Sequence, residues 1–123
     1  MQYILSTLKE MACREAENQD PQLSLGFAVM SNVGRTYSCL IRNIYSPNED
    51  IDTFLGDLVN RGESRVSVAV CVTPEGHVAY PPRSLCHYLE AMNGENRMGT
   101  EIFCPEEDGS IKAKYLSTLL RTL

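Results

Sequence analysis

The chain has 123 residues and a formal net charge of −5. That length supports one domain, and 43% hydrophobic with 22% charged residues is the balance of an ordinary globular chain rather than a disordered one. The acidic surplus argues against a protein that coats nucleic acid, whose footprint is a basic surface, and no apolar run approaches the roughly 18 residues of a membrane span. The start, "MQYILSTLKEM", places Lys9 and Glu10 just after a short apolar patch. It does not read as a secretory signal, so a cytoplasmic location is expected.

Residues 2–18 carry apolar Tyr3, Ile4, Leu8, Met11, Ala12 and Ala16 on one face of a helix, ended by "ENQDPQ" and Pro21. "LSLGFAVMS" and "RTYSCLIRNIY" flank "NVG", which predicts a β-hairpin. "IDTFLGDLVNRG" then sets Ile51, Phe54, Leu55, Leu58 and Val59 at helical spacing, with Gly62 as the stop. "RVSVAVCVT" is apolar at almost every residue from Val66 to Val72, the pattern of a central strand covered on both faces. "PEGH" turns, and "VAY" is a brief extension of that strand. Pro81 and Pro82 introduce a helix over about residues 83–93. "GTEIFCP" is a short strand and "EEDGS" a turn. "IKAKYLSTLLRTL" begins extended and ends as a helix on Leu116, Leu119, Leu120 and Leu123. A strand–helix–strand unit at this spacing requires a parallel pair with a crossover. The product is an α/β domain of two or three layers, its mixed sheet holding an antiparallel hairpin at one side and parallel strands at the other.

The cysteines Cys13, Cys39, Cys71, Cys86 and Cys104 are odd in number and form no CxxC pair. Neither a disulfide framework nor a self-contained zinc knuckle is expected, and packed thiols are the simpler reading. Cys86 opens a helix and is followed by His87, which raises a thiol nucleophile with its base. Neighbours on a helix point about 100° apart, so the two do not form a dyad. Cys71 and Cys104, ending adjacent strands, could meet Cys86 or His87 at a metal, although the spacing matches no ligand pattern.

This order of elements resembles the cytidine deaminase family. "GFAVMSNVGRTYSC" is similar to that family's first hairpin, and "IDTFLGDLVNRGESRVSVAVCV" to its second helix and central strand. "PPRSLCHYLEAM" is similar to the segment that begins Pro-Cys-x-x-Cys, and "TEIFCPEEDGSIKAKYLSTLL" to the closing strand, turn and final helix. The resemblance spans roughly residues 23–123. It implies a three-layer α/β/α mixed sheet in a single domain over residues 1–123.

The resemblance also implies where chemistry would sit. Deamination in that family uses a zinc-activated water, held by one His or Cys at the second helix and two Cys at the third, with a Glu as proton shuttle. The first ligand falls on Asp50 and the shuttle on Asp52. Arg83 stands at the first cysteine of the pair and Cys86 at the second. A carboxylate can bind zinc, but a guanidinium stays protonated and has no lone pair to offer. Asp50, Arg83 and Cys86 are therefore a degenerate metal set, and no cofactor is expected, zinc entering only if the deaminase reading holds. Asp52 and Cys86 remain as vestigial catalytic candidates. Phe27 and Asn43, with Ile41 beside it, are the implied ligand contacts. Arg83 facing Asp50 and Asp52 would replace the metal as a pin between the two helix starts; equally, all three would be exposed caps.

These readings lead to a protein that has lost zinc-dependent deamination. It would act as a binder of a nucleoside-like small molecule or as a scaffold, and the family implies a homo-oligomer, dimer or tetramer. No membrane and no nucleic-acid partner are expected. One alternative is an atypical active nucleoside deaminase or hydrolase using Asp50, Asp52 and Cys86. The other is an unrelated small α/β interaction protein of the immunity or anti-defence type.

Overall fold

A computed structural model describes residues 2–122, so the expected helical position Leu123 lies outside it. Helix α1 (Gln2–Ala16) leads to strands β1 (Leu25–Ser31) and β2 (Thr36–Ile41), then to helix α2 (Asn48–Asn60). Strand β3 (Val66–Val72) and the two-residue β4 (Val78–Ala79) precede helix α3 (Arg83–Met92). A helical turn α4 (Asn96–Gly99), strands β5 (Glu101–Pro105) and β6 (Ile111–Tyr115), and helix α5 (Leu116–Thr122) complete the chain. The sheet order is β2-β1-β3-β5-β6.

The apolar run of β3 sits at the centre because both of its faces are covered. Phe27, Ala69, Cys71 and Ile102 turn to the side of α2, α3 and α5. Ala28, Val68, Val70, Val72 and Phe103 turn to Leu8 and Ala12 of α1. The architecture is thus three-layer α/β/α, with a mixed sheet. β1 is antiparallel to β2 and to β3, and β3 is parallel to β5. β6 returns antiparallel to β5, adding a second hairpin beyond the parallel pair.

Gly26 shows how closely α1 lies on the sheet. A Cβ at that position would fall 1.6 Å from the Ala12 carbonyl oxygen, so only glycine lets the helix backbone approach β1. Gly62, at φ +76°, ends α2 in the left-handed conformation the sequence reading assigned to a stop.

Some expectations are corrected. Tyr3 is 84% exposed and Val59 is 47% exposed, because each lies off the buried stripe formed by Leu8, Ala12 and Ala16 in α1 and by Ile51, Leu55 and Leu58 in α2. "VAY" does not extend β3. The turn at Gly76 folds it back, so that Val78 pairs with Val72 and Ala79 with Cys71. The segment between α3 and β5 contains α4, whose Asn96 is a buried hub. The Asn96 side-chain oxygen accepts the Val66 N–H at 2.9 Å, and its amide donates to the Leu89 and Ser64 carbonyls at 2.9 and 3.0 Å. This fastens the end of α3 to the start of β3.

Candidate functional site

The pairing register places the two helix starts at one end of the sheet. Gly26 lies opposite Leu40 on one side and Val72 on the other, so the end of β2 and the end of β3 are level. α2 begins soon after β2, and α3 begins after the β3–β4 turn. Both therefore open at this end and run side by side beneath the sheet.

Asp50 occupies the first turn of α2. Its carboxylate accepts Arg42 Nη2 at 2.7 Å and Arg42 Nε at 3.1 Å, and it also accepts the Arg42 backbone N–H at 2.9 Å. The fork of guanidinium N–H groups holds the Asp50 carboxyl below its ordinary range, with the backbone N–H assisting and partial burial opposing. The Arg42 guanidinium is raised by the same bonds. Of the two arrangements expected for Arg83, the pin to Asp50 and Asp52 is corrected, and the exposed position holds for Arg83 and Asp52. Arg83 is exposed and enters none of the ion pairs among the described residues. Arg42 prevails because it directly follows β2 beside Asp50 and offers main-chain and side-chain donors together.

The other candidates do not converge. Asp52 is exposed and lines, with Asp50, a groove of ≈ 750 Å³ between β2 and α2. Cys86 is fully buried in the core beneath the sheet. Burial, with Cys104 nearby, pushes its thiol up to about 12. His87 on the next position is exposed, so the helix separates the two as expected. Phe27 is fully buried and meets Phe54 edge-to-face, the ring centroids 5.5 Å apart. Ile41 is also fully buried. Asn43 is exposed, and its side-chain oxygen accepts the Tyr45 N–H at 2.9 Å, a local turn contact.

The donor set does not fit a zinc ion. The Asp50 oxygens are engaged by Arg42, Arg83 has no lone pair, and Cys86 is a neutral thiol in an apolar environment. The cross-strand row of Cys39, Cys71 and Cys104 lies on the same side, and burial raises all three thiols. Among the described residues no three His, Cys, Asp or Glu side chains converge to hold a metal ion. Also among the described residues, no helix is long and apolar enough to cross a membrane.

Arg42 is the residue the sequence reading passed over. It stands between Ile41 and Asn43, eight positions before Asp50. Its signal was a lone cation at a strand end followed by an acidic helix start.

The fold defined here is that of the cytidine deaminases. The cytidine deaminase of Mycobacterium leprae superposes with a TM-score of 0.69 at 21% identity, covering 94% of this chain and 95% of that one. That of Mycobacterium tuberculosis gives 0.69 at 18% identity, over 94% and 92%. That of Bacillus anthracis gives 0.69 at 13% identity, over 98% and 89%. No family model matches the chain, and no curated protein matches it.

Proposed function

We propose that this chain uses the cytidine deaminase fold without zinc-dependent deamination, as a scaffold that assembles with itself or binds another protein. The observation that carries this reading is the Arg42–Asp50 pair. Where the resemblance places the first metal ligand, a guanidinium fork already takes the carboxylate, and the charge that neutralises it is positive and permanent. Arg83 adds a second cation where a thiolate ligand would stand. The remaining thiol, Cys86, lies in the core.

A scaffold is favoured over a nucleoside binder by the exposed Asn43, which spends its side-chain oxygen on the Tyr45 N–H, and by Phe27 and Ile41. Both are fully buried, so neither ring face nor side chain is presented to a ligand. A homo-oligomer and a cytoplasmic location are part of the same proposal.

Elemental analysis of the purified protein, paired with an ammonia-release assay on cytidine and deoxycytidine, tests it. Substoichiometric zinc and no ammonia above background are expected. One zinc per chain together with turnover would overturn the reading. Sedimentation velocity reads the assembly: a monomer that persists at high concentration would remove self-association from the proposal.

A further inference from the structure

We infer that the open edge of β2, with the acidic face of α2 beside it, is a docking groove for an extended, lysine- or arginine-bearing segment of another protein, added as a further strand. The phase of the β1–β2 ladder is set by its turn, where the Ser31 N–H donates to the Arg35 carbonyl at 2.8 Å. Bonded and non-bonded pairs alternate along an antiparallel ladder. Stepping along the register, Tyr37, Cys39 and Ile41 turn their backbone groups to β1, while Thr36, Ser38 and Leu40 turn theirs outward. Arg42 is next in the outward series, and its N–H is indeed found outside, on the Asp50 carboxylate. β2 pairs with β1 alone, and no partner takes the outward groups of Thr36, Ser38 and Leu40 among the described residues.

The other sheet edge carries charges within its strand, whereas here the cations Arg35 and Arg42 lie only at the two ends. β6 carries Lys112 and Lys114, charges that discourage strand addition, whereas Thr36–Ile41 contains no charged residue. The groove along β2 is lined by Cys39 and Leu40 on the strand side and by Asp52, Gly56 and Asp57 on the helix side. Gly56 leaves that wall open, since an added Cβ there would touch nothing within 4 Å.

Charge selects the occupant. Glu49, Asp50, Asp52 and Asp57 line the groove against the single cation Arg42. Asp50 is paired with Arg42 and Asp57 with Arg61, while Glu49 and Asp52 enter no ion pair among the described residues. From Asp52 to Asp57 the helix rises about 7.5 Å, close to the ~6.8 Å between alternate side chains of a strand. A five-residue step also turns the helix by about 140°, and Asp57 is held by Arg61, so the carboxylate open to a cation on the added strand is Asp52. A second copy of this chain is disfavoured, because pairing β2 with β2 would bring two acidic α2 faces together in a protein of charge −5.

The probe is an acetylated hexapeptide of alternating lysine and valine, titrated into isotopically labelled protein. Expected are saturable binding that weakens with salt, and slowed amide exchange at Thr36, Ser38 and Leu40 but not at Tyr37 or Cys39. N-methylation of alternate peptide amides, which leaves every charge in place, should weaken binding about tenfold or more, as should Asp52→Lys. Equal binding of the glutamate–valine peptide, indifference to N-methylation, or no saturation by about 1 mM would overturn the proposal. The zinc and ammonia measurements bear on the lost chemistry alone, so the two readings fail separately.

Discussion

Replacing Arg42 with alanine removes the fork from Asp50 and leaves its carboxylate without a cation. The Asp50 side chain is 17% exposed and that of Arg42 is 65% exposed. An exposed pair contributes about 0.2–1 kcal/mol, whereas stripping the partner from a buried charge costs about 3–5 kcal/mol. Here one member is largely buried and the other largely solvated. The Arg42 backbone N–H and the start of α2 still face the carboxylate after the change, which limits the penalty. Arg42→Ala should therefore cost about 1–2 kcal/mol in urea unfolding, or roughly 3–10 °C in Tm for a chain of this size. A double-mutant cycle with Asp50→Asn should return a coupling of about 1 kcal/mol. The pH dependence carries the same signature. Because Asp50 is depressed in the folded state, its stabilisation is complete above the carboxylate range of the unfolded chain and fades as pH falls through the lower folded value. Arg42→Ala should flatten that acid-side loss. A coupling below about 0.3 kcal/mol, with an unchanged acid limb, would refute the claim that Arg42 holds Asp50.

Asn96→Ala should cost about 2–4 kcal/mol, because it removes three hydrogen bonds and strands the Val66 N–H and Leu89 carbonyl in the core; chemical denaturation and faster exchange at the Val66 amide would show it. With its thiol raised to about 12, Cys86 should be on the order of 10⁻⁴ thiolate at pH 8, so iodoacetamide should label it only on unfolding. Labelling in the native state at the rate of a free thiol would contradict its burial. Glu63 is buried and accepts hydrogen bonds from Tyr37 and Ser31, with Arg35 alongside, and the Tyr37 bond leads in holding its carboxyl low. Its stabilising effect is present above the unfolded carboxylate range and lost below the folded value, so Glu63→Gln should lower stability near pH 7 and reduce the loss on acidification, as read by Tm against pH.

Much of the fold could be read along the chain, since period and punctuation are local properties. The hairpin, the stop at Gly62, the central run Val66–Val72 and the helix after Pro82 all occur where apolar spacing and turn chemistry place them. The parts that escaped are those set by partners distant in sequence. Nothing local marks Asn96, whose role as a buried hub comes from meeting Val66 and Leu89. Gly26 reads as a strand glycine, and its necessity comes from Ala12 fourteen residues earlier.

The candidate site divides in the same way. That a guanidinium stands in place of a thiolate in "PPRSLC", and that aspartates stand at the head of α2, follows from residue identity at the positions the resemblance matches, and it leaves a donor set poor in zinc ligands. Which cation meets Asp50 could not be read off, because Arg42 and Arg83 are equal as charges and differ only in where the backbone carries them. β2 delivers Arg42 to the carboxylate with its own N–H aligned, while the first turn of α3 points Arg83 to water. Local pattern sets the elements; the register of distant strands sets which side chains meet.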